Sequence, residues 1–236
     1  MIVHEKVPVT LIGGGIVHDL DIKDAVSLAP ICVAADGGAD AALASGVELA
    51  AVIGDFDSIS PETQATLPQH LQHRIVEQES TDFDKALRNI DAPLVLAIGF
   101  SGGRFDHQLA VLSVLAAYPD RSCILVGQTE LTLLCPPVLD LSLDPGSVVS
   151  LFPLGPVQGT STGLEWPIDG LHFDPLGRIG TSNCATGPVH LEVDAPHMIC
   201  FLPREVLPNL MQALAQAPRS ARWPARAVRC KDQHQS

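Results

Sequence analysis

The sequence predicts an α/β fold, and three observations carry that reading. The first is a series of short, uniformly apolar segments at residues 7–12, 31–35, 50–53, 74–76, 94–98 and 123–126. They are continuous rather than alternating, which is the pattern of strands buried on both faces. The second is helical periodicity between them. Phe83, Ala86, Leu87 and Ile90 follow the i, i+3, i+4, i+7 spacing within 81–90, and Phe105, Leu109, Leu112 and Leu115 or Ala116 do so within 104–118. Repeated strand–helix alternation implies a mainly parallel sheet with flanking helices, a Rossmann-like arrangement. The third is a change of character near residue 128. From there to about residue 203 the chain is rich in Pro and Gly, with short apolar runs at 131–134, 147–152, 189–193 and 198–202. This reads as a smaller all-β sandwich domain, closed by a helix over 205–215. The expected division is an α/β domain over 1–127, a β-sandwich domain over 128–216, and a basic, flexible tail over 217–236.

Composition narrows the class. The chain has 236 residues, 46% hydrophobic and 17% charged, enough apolar material for a core and against wholesale disorder. The opening residues carry Glu5, Lys6 and Pro8 before a short apolar run. They do not resemble a secretory leader, and no stretch approaches the roughly 20 apolar residues of a membrane span. A soluble, cytoplasmic protein is expected, with no membrane partner. Cysteines at 32, 123, 135, 184, 200 and 230 form no C-x-x-C pair and read as small buried hydrophobes. The net charge of −13 repels nucleic-acid phosphates, so no nucleic-acid partner is expected. Arg219, Arg222, Arg226, Arg229 and Lys231 crowd into the tail and read as a solvated face. If the substrate is anionic, metal ions and local donors must hold it.

The polar segments fall where strands end, which is where ligands bind in open parallel sheets. Gly13-Gly14-Gly15 follows the first strand and suits either a close backbone approach to an anion or a tight turn. Asp36-Gly37-Gly38 follows the second. Its carboxylate suits ribose or phosphate contact, or a helix N-cap. Gly54-Asp55-Phe56-Asp57-Ser58 follows the third. Two aspartates spaced by two in an extended stretch point to one side, and such a pair repels itself unless a cation lies between. Mg²⁺ favours one or two carboxylates plus waters and phosphates. The helix beyond has its own start signal in Ser60-Pro61-Glu62, so Asp55 and Asp57 are not needed as caps. Gln78-Glu79-Ser80-Thr81-Asp82-Phe83-Asp84-Lys85 follows the fourth. Thr81 with Asp84 reads as a capping box, while the acids suit a shared cation site. Lys85 suits a phosphate or a neighbouring acid. Gly103-Arg104-Phe105-Asp106-His107 opens the helix after the fifth strand, a phosphate-attracting position. Together these point to phosphoryl transfer.

In this order, the segments resemble thiamin pyrophosphokinase. The likeness rests on Ala35–Gly38 (ADGG), Gly54–Ser58 (GDFDS), Thr81-Asp82 with Lys85, and Gly103–His107 (GRFDH). It continues through Thr162–Pro167 (TGLEWP) and Thr181-Ser182-Asn183, covering about residues 10–203. The resemblance implies a nucleotide-binding α/β domain, a thiamin-binding β-sandwich domain, a homodimer with sites at the subunit interface, and the conversion of ATP and thiamin to AMP and thiamin diphosphate. It implies Mg²⁺ and catalytic roles at Asp55, Asp57 and Asp82. Nucleotide or phosphate contacts are implied at Asp36, Gly37, Gly38, Gln78, Thr81, Lys85, Gly103, Arg104, Asp106 and His107, and thiamin contacts at Trp166, Ser182 and Asn183. Glu79 departs from the Asp that many members carry before x-Thr-Asp. The alternatives are a Mg²⁺-dependent kinase or pyrophosphokinase of another heterocyclic alcohol, a metal-dependent phosphohydrolase, or a non-catalytic thiamin or nucleotide sensor.

Overall fold

The computed structural model describes residues 1–218 and 221–226. The first half runs β1 (Val3–His4), β2 (Val9–Ile12), α1 (Asp19–Leu28), β3 (Ile31–Ala35), α2 (Gly38–Ala44), β4 (Ala51–Gly54), α3 (Pro61–Thr66), β5 (Gln72–Arg74), α4 (Asp82–Leu87), β6 (Ile90–Asp91), β7 (Val95–Ile98), α5 (Phe105–Ala117) and β8 (Cys123–Val126). The second half runs β9 (Glu130–Leu134), β10 (Val138–Leu141), β11 (Val148–Pro153), β12 (Val157–Leu164), β13 (His172–Phe173), β14 (Gly180–Val193), β15 (Met198–Pro203), a 3-10 turn and α6 (Leu207–Gln216).

Strands β2, β3, β4, β7 and β8 are buried on both faces, and their side chains alternate between two cores. Leu96, Ile98, Ala34, Val52 and Ile124 face one core with Ile22 and Ala25 of α1 and Ala39 and Ala42 of α2. Val95, Ala97, Val33, Ile53 and Leu125 face the other, with Phe83 and Leu87 of α4 and Val114 and Leu115 of α5. This double coverage explains why the strands are uniformly apolar. Thr10, fully buried on β2, donates its hydroxyl to the Ala29 carbonyl at 2.7 Å, so no polar atom of that side chain is stranded.

The prediction of a mainly parallel sheet is corrected. The ladders β2–β7 and β7–β8 are parallel, and β3, β4 and β5 form a separate parallel three-stranded sheet with β3 beside β2. Pairing then continues without a break from β8 into antiparallel β9, β15, β11, β14, β12 and β13, with β10 on β14, making a ten-stranded mixed sheet. The connections explain the change. Between β8 and β9 there is only a tight turn, in which the Gly127 N–H donates to the Glu130 carbonyl at 2.9 Å. A hairpin can only be antiparallel, whereas the helical crossovers through α2 and α5 permit parallel pairing of β3 with β4 and of β7 with β8.

The predicted apolar face of α5 also needs correction. Phe105 and Leu109 are 73% and 50% exposed, whereas Leu115 and Ala116 of the predicted face are buried and Leu112 partly so, joined by buried Val111 and Val114. The 3.6-residue period is the same along the whole helix and carries no signal for where the sheet beneath it begins. Strand β5 lies two residues before its predicted start, Ile90 of the helix expected over 81–90 belongs to β6, and α1, β1, β6, β10, β12 and β13 have no counterpart in the prediction.

Of the residues beyond 216, Arg219, Arg229 and Lys231 lie outside the described part. Ala221 is buried, and the Trp223 indole donates to the Cys135 carbonyl at 2.9 Å. Among the described residues, no helix is long and apolar enough to cross a membrane.

Two outcomes test this architecture. Leu96→Ala removes a fully buried side chain and is expected to cost about 2–5 kcal/mol in denaturant unfolding, while Phe105→Ala stays within about 0.5 kcal/mol. On β14, His190 faces Asp140 of β10 in register and hydrogen-bonds it at 2.7 Å, with Glu192 at 3.2 Å. The Asp140 contact, outweighing partial burial, raises the His190 pKa above its ordinary value. The stabilisation is therefore fully present below the unfolded value of about 6.5 and is lost as pH rises through the higher folded value. NMR titration is expected to show the raised value, and Asp140→Asn to lower it.

Candidate active site

The site lies at the carboxyl ends of the parallel strands, where the loops interlock through glycines. A Cβ at Gly38 would come within 2.0 Å of the Ile12 carbonyl oxygen, and one at Gly15 within 2.5 Å of the Gly99 oxygen. Only glycine permits this packing, so the loops after β2, β3 and β7 share one edge. The chain winds outward from β2 through β3–β5 on one side and returns through β7 and β8 on the other. At that reversal a cavity of about 260 Å³ opens, with Ile16, Val17, Ser101, Gln108 and Arg204 in its wall. Crevices at such reversals are the usual ligand sites of α/β sheets.

On the other side of β2, in the loops after β3 and β4, stands a carboxylate cluster. Asp36, Asp55 and Asp57 each place an oxygen within 4.8 Å of the others. Asp36 follows β3, pairs its N–H with the Ile53 carbonyl, and turns left-handed at φ 43°. Its carboxylate therefore reaches across to the loop after β4, where Oδ2 accepts the Ser58 N–H at 2.9 Å. Asp40, one turn into α2, braces the same loop by accepting the Ser60 hydroxyl at 2.6 Å and the Ser60 N–H at 3.1 Å. Ser60 in turn caps α3 by accepting the Thr63 N–H. The Asp55–Ser58 stretch is not extended as predicted. Phe56 is left-handed at φ 67°, and this kink, rather than a two-residue repeat, gathers Asp55 and Asp57. Among the described residues, Asp36, Phe56 and Ser182 are the non-glycine residues at positive φ. Such strain costs of order 1–3 kcal/mol each and clusters at functional sites.

Lys85 joins this cluster to α4. Its ammonium donates to Asp55 Oδ2 at 2.7 Å and to Asp82 Oδ1 at 3.2 Å. The Lys85 hydrogen bond holds the Asp55 carboxyl below the usual carboxylate range. Burial pushes Asp36 and Asp82 upward. Burial also works against the charge of Lys85, but its bonds to the two aspartates outweigh that and raise its pKa. Two buried oxygens, Asp36 Oδ1 and Asp55 Oδ1, have no hydrogen-bond partner. Orphaned anionic oxygens that converge in this way fit a hard divalent cation.

Gln78 lies near the cluster, its amide 3.5 Å from Asp55 Oδ2, and Thr81 caps α4 by accepting the Asp84 N–H. Gly37 occupies the N-cap of α2, so Asp36 is not that cap. Arg104 and Asp106 pair with each other at 3.1 and 2.6 Å on the exposed start of α5, next to exposed His107 and Gly103. In the β domain, Trp166 is 56% exposed. Asn183 clamps its backbone, donating to the Trp166 carbonyl at 2.7 Å and accepting the Trp166 N–H at 3.2 Å. Ser182 donates its N–H to Ser150 Oγ at 2.9 Å. Sequence reasoning assigns no cation role to Asp36 and none at all to Asp40. Their partners Ser58 and Ser60 lie 22 and 20 residues away, beyond any local spacing signal.

A family model described as thiamin pyrophosphokinase, catalytic domain, matches residues 22–126, and one described as thiamin pyrophosphokinase, vitamin B1 binding domain, matches 138–198. The two together span more than half of the chain. It belongs to the thiamin pyrophosphokinase family. The family's catalytic-domain match contains the carboxylate cluster and Lys85, and the other match contains Trp166, Ser182 and Asn183.

The chain is 29% identical over 150 residues to thiamine pyrophosphokinase 3 of Oryza sativa subsp. japonica, and 31% identical over 150 residues to thiamine pyrophosphokinase 1 of Arabidopsis thaliana. Each alignment covers 55% of this chain and 56% of the relative, so the chain spans about half the length of these curated relatives. The fold is similar to those of thiamin pyrophosphokinases from Candida albicans (TM-score 0.69, 20% identity, 84% of this chain and 89% of that chain) and Geobacillus thermodenitrificans (TM-score 0.68, 23% identity, 83% and 96%).

Gly54 offers a direct check on the cluster. A Cβ there would sit 2.8 Å from Asp36 Cβ and 3.0 Å from Asp36 Oδ1. Gly54→Ala is expected to displace the Asp36 carboxylate, to cost about 1–3 kcal/mol of stability, and to weaken Mn²⁺ binding in a calorimetric titration.

Proposed function

We propose that this chain is a cytoplasmic thiamin pyrophosphokinase, acting as a homodimer, that transfers the pyrophosphoryl group of ATP to the hydroxyl of thiamin. The observation that carries the reading is the Asp36–Asp55–Asp57 cluster, with its two orphaned buried oxygens, on the glycine-lined edge of a chain of this family.

Asp36, Asp55 and Asp57 would hold Mg²⁺, with Asp82 beside them across Lys85. When bound, Mg²⁺ supplies positive charge that offsets the charge of the phosphate chain. The cavity between the β2 and β7 loops mixes apolar side chains such as Ile16, Val17 and Ile98 with polar Ser101, Gln108 and Thr129, a lining that would take a nucleoside. Gly103 and the start of α5 offer backbone donors to phosphate. Arg104, on leaving Asp106, would grip a phosphate bidentately, with His107 alongside. Gln78 stands near the transferred group. In the β domain the exposed Trp166 ring would stack on the cationic thiazolium, its position fixed by Asn183. The thiamin oxygen forms a bond to the β-phosphorus as the bond from that phosphorus to the α–β bridging oxygen breaks. AMP leaves, and the hydroxyl proton passes to a site carboxylate.

The test is product analysis by mass spectrometry with thiamin, ATP and Mg²⁺, with and without EDTA. Thiamin diphosphate plus AMP, abolished by EDTA, is expected. Thiamin monophosphate plus ADP, or no thiamin product from folded protein, would overturn the reading. Asp57 is exposed, so Asp57→Asn is expected to leave stability within about 0.5 kcal/mol while lowering turnover by roughly a hundredfold or more.

A further inference from the structure

Lys85 is the one buried basic residue among those described, at 1% exposure. Lysine is almost never fully buried unless paired, and a side chain so enclosed has no path to a phosphate in solvent. Its partners are both acids of the site. Asp82 lies three residues earlier on the same face of α4, and Asp55 reaches it from the loop after β4. The Asp55 carboxylate is thereby divided. Oδ2 takes the ammonium, while Oδ1 is buried and without a partner, in a residue that also clusters with Asp36 and Asp57. Without a cation, Asp36, Asp55, Asp57 and Asp82 would crowd four like charges into one loop cluster.

We infer that Lys85 is a built-in counter-ion: it holds Asp55 and Asp82 in the metal-free protein and repels a free divalent cation, so that the metal enters with the nucleotide whose phosphates complete its ligands. The inference rests on the reading that the aspartate trio binds a divalent cation. Lys85 is then a positioning residue that sets the order of binding. In a medium less polarisable than water, an ammonium beside the site opposes a second cation strongly. Phosphate oxygens arriving with the metal remove that opposition.

The test is Mn²⁺ titration followed by electron paramagnetic resonance at pH 8, with and without a non-hydrolysable ATP analogue. Wild-type protein is expected to bind free Mn²⁺ weakly and to bind it at least about tenfold more tightly with the analogue present. Lys85→Met is expected to bind free Mn²⁺ at least about tenfold more tightly than wild type, to melt lower in metal-free buffer, and to recover on adding Mn²⁺. Lys85→Arg keeps the charge and is expected to match wild type. Lys85→Gln, neutral but still a donor to Asp55, is expected to tighten binding as Met does, and it keeps the test decisive should Met fail to fold. Neutral variants no tighter than wild type, or an arginine variant as tight as the neutral ones, would overturn the inference and leave the metal reading standing. Wild type that binds no Mn²⁺ even with the analogue would overturn both.

Discussion

The site depends on one close approach between backbones. The Ile12 carbonyl at the end of β2 lies so near Gly38 that no Cβ fits between them. This contact starts α2 against the tip of the neighbouring strand and leaves only Asp36 and Gly37 to make the turn from β3. So short a turn forces Asp36 out of the right-handed region and aims its carboxylate sideways at the loop after β4. A longer turn would let Asp36 relax and point to solvent, where it would join no other acid. The packing of the sheet edge thus sets the electrostatics of the site.

Holding the acids together is costly, and the cost is offset locally. Asp36 accepts the Ser58 N–H, Asp40 accepts both donors of Ser60, and Lys85 sits between Asp55 and Asp82. Removing one member of such a network leaves its partners buried and unpaired, which costs more than the bond itself was worth. The bracing serves rigidity as much as stability. The loops after β3 and β4 are tied at two points one helical turn apart, so the trio of oxygens is held ready before any ligand arrives.

Much of this was legible in the sequence. The apolar runs marked the buried strands because both faces of that sheet are covered, and the alternation of side chains between two cores bears this out. Ser60 and Thr81 cap their helices as expected, but the Asp84 carboxylate of the expected capping box accepts the Tyr118 hydroxyl at 2.9 Å. The acids at the strand ends were visible as short motifs, and their convergence followed from the parallel topology. What was not legible was non-local. The part played by Asp36 depends on a left-handed turn and on a partner 22 residues away. The enclosure of Lys85 depends on the approach of Asp55 across 30 residues. The exposed start of α5 depends on where a sheet stops, which helical periodicity does not encode. The mostly antiparallel character of the large sheet came from a two-strand hairpin at Gly127, in a stretch where short apolar runs do not reveal their pairing.

That hairpin ties the two halves into one piece of β-structure. There is no linker between them to act as a hinge, because rotating one half against the other would break the ladders from β8 to β9 and from β9 to β15. Cutting the chain after β8 would also leave a raw edge of unpaired N–H and C=O groups, along with apolar surface shared by both halves. The α/β half is therefore not an independent module onto which another substrate-binding domain could be grafted at will. A replacement would have to bring its own strand in the register of β9, so a change of specificity is far easier to reach through loops and side chains than through exchange of domains.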